Sequence, residues 1–318
     1  MYIRRIATAL PKNGFSTDEL LKSFPCSLPE GVRQNVLNLG VMKRYLVNQT
    51  DSSFGDEMIL SEHAVVDLCC DACFKALEKE ALSINDIDYF VATYDANPFL
   101  SPGLSQILFP KLGLKPYVKH VNAQGVASTA FPKALDIAEN YLAAHPESEA
   151  LLCISGVSST WFQNQVHGIR KVMDIKEINQ IRNEAQKRFE LRKWVAVMEY
   201  FLFGDGVAAA VVSRSKGDLS VEKNVEVTNL EVNDYLAGYS RLAAVEEPFR
   251  FGFYSHLDKD IPKLGGKYTS LALDNLLEAD AQKTMRTAKK WAVHTGSEKI
   301  LNMLAERHEI GPDRFEES

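Results

Sequence analysis

The chain is 318 residues long, 46% hydrophobic and 25% charged, with a net charge of −6; it can fill one large core or two fused ones, and disordered and collagen-like classes are excluded. The acidic balance and the lack of a dense Lys/Arg run argue against a nucleic-acid or anionic-membrane partner, because each needs a concentrated positive face. Five cysteines, an odd number, fit a reducing compartment better than a disulfide framework.

The opening Met1-Tyr2-Ile3-Arg4-Arg5-Ile6 lacks the apolar stretch and small-residue cleavage site of a secretion signal, and 3–10 reads as a first strand closed by Pro11 and Asn13. No window approaches the roughly 18 uninterrupted apolar residues of a membrane span, so the expectation is a cytoplasmic protein. Helical patterns follow over 17–21 and 29–39, and the spacing predicts an amphipathic helix over 61–82. That helix contains Cys69, Cys70 and Cys73. With no fourth ligand in place, they read as buried thiols and no metal is expected.

Asp88-Tyr89-Phe90-Val91-Ala92-Thr93-Tyr94 reads as a buried strand, Pro102-Gly103 opens a helix to 112, and 118–121 is a short strand leading into Asn122-Ala123-Gln124-Gly125. A helix over 128–144 and a strand over 150–154 continue the alternation of a layered α/β protein. The stretch 161–200 reads as a mostly helical, charged insertion, either a lid or partner surface or a solvated excursion, ahead of a strand over 207–213. Beyond it the pattern predicts a long strand region over 219–236, a helix over 260–278, a strand over 291–294 and a helix over 298–306.

Three segments then resemble one family. Leu202-Phe203-Gly204-Asp205-Gly206-Val207-Ala208-Ala209-Ala210 is similar to the "LFGDGAAA" segment of chalcone-synthase-like type III polyketide synthases and ketoacyl synthase III enzymes. His256-Leu257-Asp258-Lys259-Asp260-Ile261-Pro262 resembles their "FHLxKDVP" stretch, and Val293-His294-Thr295-Gly296-Ser297-Glu298-Lys299-Ile300-Leu301 resembles "VHPGGPKIL", which carries the catalytic histidine. With Ala7-Thr8-Ala9-Leu10-Pro11 at the start, these segments span nearly the whole chain.

The resemblance implies an α/β, thiolase-like αβαβα architecture of two pseudo-repeated halves, 1–214 with the insertion near 161–200 and 215–318. It also implies that the second half lacks its expected last strands, and with them the asparagine that condensing members use beside the histidine. Counting from Pro116-Tyr117-Val118-Lys119-His120-Val121 brings the family's nucleophilic cysteine onto Ser128; matching Gln124-Gly125 to "QGC" instead would bring it onto Val126. We prefer Ser128, although Ser128-Thr129 ahead of a helix also reads as an ordinary N-cap.

The resemblance further supplies His294 as base and Phe203 and Ser255 as acyl-contacting positions, Ser255 standing where plant chalcone synthases have phenylalanine. Gly204 and Gly206 would shape the loop under the site, and Lys43 and Arg44 would hold ligand phosphates. The implied donor is a coenzyme A or phosphopantetheine (acyl carrier protein) thioester, with no bound cofactor. The implied function is an acyltransferase or ketosynthase III-like enzyme of polyketide or fatty-acid-type biosynthesis, working as a homodimer or as a heterodimer with a related ketosynthase. A catalytically silent subunit beside a cysteine-bearing partner is the alternative.

Overall fold

The computed structural model describes residues 1–47, 62–78, 82–94, 101–228, 231, 233–242, 244–249, 251–258, 260–277, 287–294 and 298–315. Part of the helix predicted over 61–82, and Lys259 and 295–297 of the C-terminal motifs, lie outside the described residues. In chain order the elements are β1 (Tyr2–Ala9), β2 (Gly14–Ser16), α1 (Thr17–Ser23), α2 (Glu30–Leu37), β3 (Lys43–Tyr45), α3 (Glu62–Glu78), β4 (Tyr89–Tyr94) and α4 (Leu104–Leu112). Then come β5 (Lys119–Gln124), α5 (Ala130–Ala144), β6 (Glu149–Gly156), α6 (Ser159–Val166), α7 (Ile175–Gln180), α8 (Glu184–Leu202), β7 (Gly206–Ser213) and β8 (Leu219–Ser220). The last are β9 (Gly238–Leu242), β10 (Phe253–Leu257), α9 (Ile261–Leu277) and α10 (Glu298–His308).

The chain divides into two units that interleave in sequence. One comprises Met1–Ser23, Lys43–Asn164 and Phe203–Asn224. Its six-stranded sheet has the order β5-β4-β6-β7-β1-β8, with β4 parallel to β5 and β6 and the remaining pairs antiparallel. Because helices cover both faces, the central strands are apolar on both sides rather than alternating with water. Phe90, Ala92, Leu151, Cys153, Ala209 and Val211 pack toward α3 and α4. Their strand neighbours Tyr89, Val91, Ala150, Leu152, Ala210 and Val212 pack toward α5.

On β1 the odd residue Ile3 joins the α5 face whereas Ala7 and Ala9 join the other. The register shift between Ile3 and Arg5 accounts for that change, since an irregularity of one residue flips every later side chain. Cys69, Cys73 and Cys153 are fully buried in the α3 face core. Burial pushes the Cys70 thiol up to about 11, the state of an inert core thiol.

The second unit comprises Phe24–Met42, Gln165–Leu202 and Val225–Ser318. Its α8 packs against α2, α7 and β10, and β9 and β10 form an antiparallel pair. Asp174 starts α7, its Oδ1 accepting from Lys176 N–H at 2.9 Å while Glu177 Oε2 accepts from Asp174 N–H at 3.3 Å, a reciprocal capping pair. A β-carbon on Gly31 would lie 1.6 Å from Asp174 Oδ2, so α2 approaches this cap at a distance only glycine allows.

Three sequence expectations are corrected here. Val195–Phe201 and 162–169 are buried, so much of 161–200 is core and not a solvated excursion; its charges sit mainly on the first half of α8. Among the described residues of 219–236, β8 is the one strand, followed by a 3-10 turn over Asp234–Ala237. Among the described residues, this stretch pairs with the sheet only through Leu219 and Ser220, opposite Ile3 and Tyr2. Residues 291–294 form no strand: Trp291 N–H donates to the carbonyl of Arg314 at 3.0 Å, and Arg314 Nη1 donates to that of Ala288 at 3.1 Å. A turn over Pro312–Phe315, not a strand, is its partner.

Candidate functional site

The parallel strands β4, β5 and β6 end together, and in open α/β sheets it is outside such carboxyl ends that ligands bind. At this edge the chain leaves β5 through Gly125, with φ +75°, and Ala127, with φ +42°. Glycine adopts that conformation freely, but alanine, carrying a β-carbon, does so at a cost of roughly 1–2 kcal/mol. Ser128 follows within a 3-10 turn over Ala127–Thr129, and α5 starts two residues later.

The N-cap position of α5 belongs to Thr129, without a side-chain cap bond; the Thr129 hydroxyl instead donates back to the carbonyl of Val126 at 2.5 Å. Ser128 is exposed, as are Ala127 and Thr129, and Ala130 is the first buried residue. Gly125 and Ala127, both with positive φ, precede this exposed turn.

Also at this edge, Gly206 pairs with Gly156 across β7 and β6. Between Gly204 and Gly206, Asp205 is buried, at 5% exposure, and its carboxylate accepts four hydrogen bonds. Oδ1 accepts from the N–H groups of Ser158 (2.9 Å) and Ser159 (2.8 Å); Oδ2 accepts from Val47 N–H (2.8 Å) and the Ser159 hydroxyl (2.5 Å). Burial raises this carboxyl and the four donors pull against it. The carboxylate ties the start of α6 to the segment after β3, and Asp205 N–H donates to the carbonyl of Tyr45 at 2.7 Å. A β-carbon on Gly204 would come within 3.3 Å of Arg44 Cβ and of the Tyr45 carbonyl. The glycines therefore permit the close approach that lets aspartate act as the knot.

Phe203 is 38% exposed and stacks on Phe162, with ring centroids 4.7 Å apart and planes 9° from parallel, a pair worth roughly 1 kcal/mol. Lys43 is exposed, its ammonium 4.8 Å from the Tyr45 ring centre. Arg44 is 2% exposed and Nη1 donates to Thr17 Oγ1 at 2.9 Å. It belongs to the interior, because alternate residues of a short strand face opposite sides, so the two cations do not form one surface pair.

In the other unit His294 is exposed in the irregular segment 291–294. Ser255, on β10, is 1% exposed, and its hydroxyl lies 2.7 Å from that of exposed Ser240 on β9 and 3.4 Å from Gln165 Oε1. Gln165 Nε2 donates to Glu199 Oε2 at 3.1 Å. Glu199 is 3% exposed on α8, and burial pushes its carboxyl up to about 7 against hydrogen bonds from Ser255 and Gln165. Sequence reading missed Asp205 as a hub and Glu199 altogether. The signal for Glu199 was available: it is the single charged residue in Trp194-Val195-Ala196-Val197-Met198-Glu199-Tyr200-Phe201-Leu202.

No family model matches the chain. The 3,5-dihydroxyphenylacetyl-CoA synthase of Amycolatopsis orientalis is 23% identical to it over 96% of this chain and 77% of the relative. Among solved structures, the 1,3,6,8-tetrahydroxynaphthalene synthase of Streptomyces coelicolor, a bacterial type III polyketide synthase, superposes with a TM-score of 0.73 at 20% identity, covering 99% of this chain and 83% of that one. CsyB complexed with CoA-SH gives a TM-score of 0.74 at 19% identity, covering 99% and 84%. Over nearly its whole length the chain thus has the α/β thiolase-like fold of the type III polyketide synthases. Among the described residues no helix is long and apolar enough to cross a membrane.

Proposed function

On the thiolase-like fold shared with the type III polyketide synthases, we propose that this chain is a condensing-type acyltransferase. It takes an acyl group from a coenzyme A or acyl-carrier thioester onto Ser128, with His294 as base. The observation that carries this is the turn before α5: a strained Ala127 places Ser128 at the carboxyl edge of the parallel strands, and backbone strain in folded proteins concentrates where geometry serves function. Similarity to relatives named for acyl-CoA chemistry supports the same reading.

Serine has no accessible alkoxide near neutral pH, so a base must take its proton as it attacks. Ser128 Oγ bonds to the thioester carbonyl carbon while the imidazole of His294 receives the hydroxyl proton. The C–S bond then breaks and the departing sulfur recovers that proton as free thiol. The product, an oxygen ester, is less electrophilic than the thioester, so the serine favours acyl transfer over attack by a carbanion. Phe203 and Ser255 are proposed acyl contacts, Gly204 and Gly206 set the loop through Asp205, and Lys43 is a phosphate contact. The halves 1–214 and 215–318 and a dimeric assembly belong to the same proposal.

The test is to incubate the protein with a panel of acyl-CoA and acyl-carrier thioesters and search for a mass increase on the Ser128 peptide. An adduct lost in Ser128→Ala supports the assignment; no adduct, with transfer unchanged by the substitution, overturns it. The exposure of Ser128 favours one second reading, a catalytically silent subunit beside a cysteine-bearing ketosynthase. A stoichiometric heterodimer on co-expression supports it, and a self-sufficient homodimer that acylates Ser128 overturns it.

A further inference from the structure

The cations of α8 fall into two groups. Along its middle, Arg192 Nη2 pairs with Glu246 Oε2 at 2.9 Å, and its guanidinium carbon lies 5.3 Å from the ring centres of Phe249 and Tyr254. Lys193 is buried and pairs with Glu190 at 2.6 Å. These charges are matched within the fold. At the start of the helix they are not. Asn183 caps α8, its Oδ1 accepting from Gln186 N–H at 3.0 Å and its carbonyl from Lys187 N–H at 2.8 Å, which holds Arg182, Lys187 and Arg188 close to the first two turns. Arg182 and Arg188 are exposed and Lys187 is half-buried.

From 170 to 188 the chain carries six cations, these with Arg170, Lys171 and Lys176, against three acids, Asp174, Glu177 and Glu184, in a protein of net charge −6. Among the described residues none of the six makes an ion pair. Glu184 stands four residues before Arg188, the spacing at which a helix pairs such groups, and even that pair is not made. Asp174 and Glu177 are engaged in the cap of α7, which packs on α8. Cations near the start of a helix also oppose its macrodipole, so neither pairing nor helix stability accounts for them.

We propose that the exposed surface of α7 and the first two turns of α8, carrying Lys176, Arg182, Lys187 and Arg188, is a docking site for an acidic helix of a partner protein. Charge complementarity selects the sign of the partner, and the acids among the cations select its kind. Glu177 and Glu184 are exposed there, so a nucleic-acid duplex or an anionic lipid surface, negative throughout, meets those acids wherever it settles. A helix can carry its carboxylates along one side, with neighbours about 5–6 Å apart, and turn them to the cations while leaving Glu177 and Glu184 uncovered. The inference stands apart from the acyl-transfer reading, since it needs neither Ser128 nor a thioester.

The experiment follows, by fluorescence anisotropy, the binding of a labelled alanine-based helical peptide with glutamates along one side, and of an isomer of the same composition with the glutamates spread round the helix. The one-sided peptide is expected to bind about tenfold more tightly, and to lose about tenfold in affinity between roughly 50 and 300 mM salt, because exposed ion pairs are screened. Arg182→Glu combined with Arg188→Glu is expected to weaken it more than about tenfold. Lys111→Glu combined with Lys119→Glu, an equal change of charge at two exposed lysines of the other unit, is expected to weaken it less than about twofold. Arg182→Gln combined with Arg188→Gln, expected to weaken binding several-fold, keeps the proposal testable if charge reversal disturbs α8. No binding of the one-sided peptide, equal binding of the two peptides, or equal losses in the two charge-reversed variants overturns the inference. Tighter binding of duplex DNA or of phosphatidylserine vesicles than of the peptide also overturns it, and acylation of the Ser128 peptide is unaffected by any of these outcomes.

Discussion

Asp205 and Glu199 are both almost completely buried acids, yet they are built for opposite ends. Three backbone N–H groups and a hydroxyl converge on Asp205. Such a site saturates a carboxylate and uses it to hold two segments and a helix start together. Glu199 lies in an apolar run on α8 and is acted on by the Gln165 amide, at 3.1 Å, and the Ser255 hydroxyl. Burial raises both, and it brings Glu199 to about 7, where its charge changes near neutrality. Equal burial thus gives a structural knot where donors abound and a poised acid where they are scarce.

The largest effect is expected from breaking the knot. Asp205→Ala strands three backbone donors and a hydroxyl in the interior, and the loss of one partner from a buried charged network costs about 3–5 kcal/mol. Urea unfolding monitored by fluorescence measures it. Asp205→Asn keeps one acceptor oxygen and is expected to fall between.

Glu199 sharpens the comparison through pH. Its folded value of about 7 lies above the ordinary 4.5, so the folded state binds this proton more tightly than the unfolded one. Its contribution is fully present below about pH 4.5, is lost progressively as pH rises toward 7, and is flat above that. The span corresponds to about 3 kcal/mol. Glu199→Gln is expected to remove that part of the slope and to be the more stable protein at pH 8, with little difference at pH 4.5; denaturant titrations across this range test it. A smaller effect, about 1 kcal/mol, is expected for Phe203→Ala through loss of the stack on Phe162, measured the same way.

The contrast also explains which parts of the molecule were legible in the sequence. The strands β4, β6 and β7 and the helices α5, α9 and α10 announce themselves because their apolar spacing alone fixes period and face. Residues 291–294 and 219–236 carry strand-like composition, but whether a strand forms depends on a partner edge, and composition does not encode one. The GDG motif was visible as a turn. That its aspartate is the hub depends on Val47 and Ser158, 158 and 47 residues away, which no local pattern contains. Arg44 reads as a surface cation until its strand neighbours decide its face. Glu199 left the clearest trace, a single charge in a run of apolar residues, because burying an acid is costly enough to be conspicuous.

The turn at Ala127 separates stability from activity most finely. Ala127→Gly removes the β-carbon from a left-handed residue, relieving about 1–2 kcal/mol of strain, and returns part of that gain through the greater freedom of glycine in the unfolded chain, about 0.5–1 kcal/mol. The variant is therefore expected to be more stable by about 0.5–1 kcal/mol. If the strained residue holds Ser128 in a productive orientation, the freer glycine lets the hydroxyl sample others, and acylation of the Ser128 peptide slows several-fold while the protein becomes harder to unfold. If acylation is unchanged in the stabilised variant, the strain is incidental to the chemistry. A gain in stability with a loss in rate ties the positive φ of Ala127 to the reactivity of its neighbour, because damage to the fold would lower both.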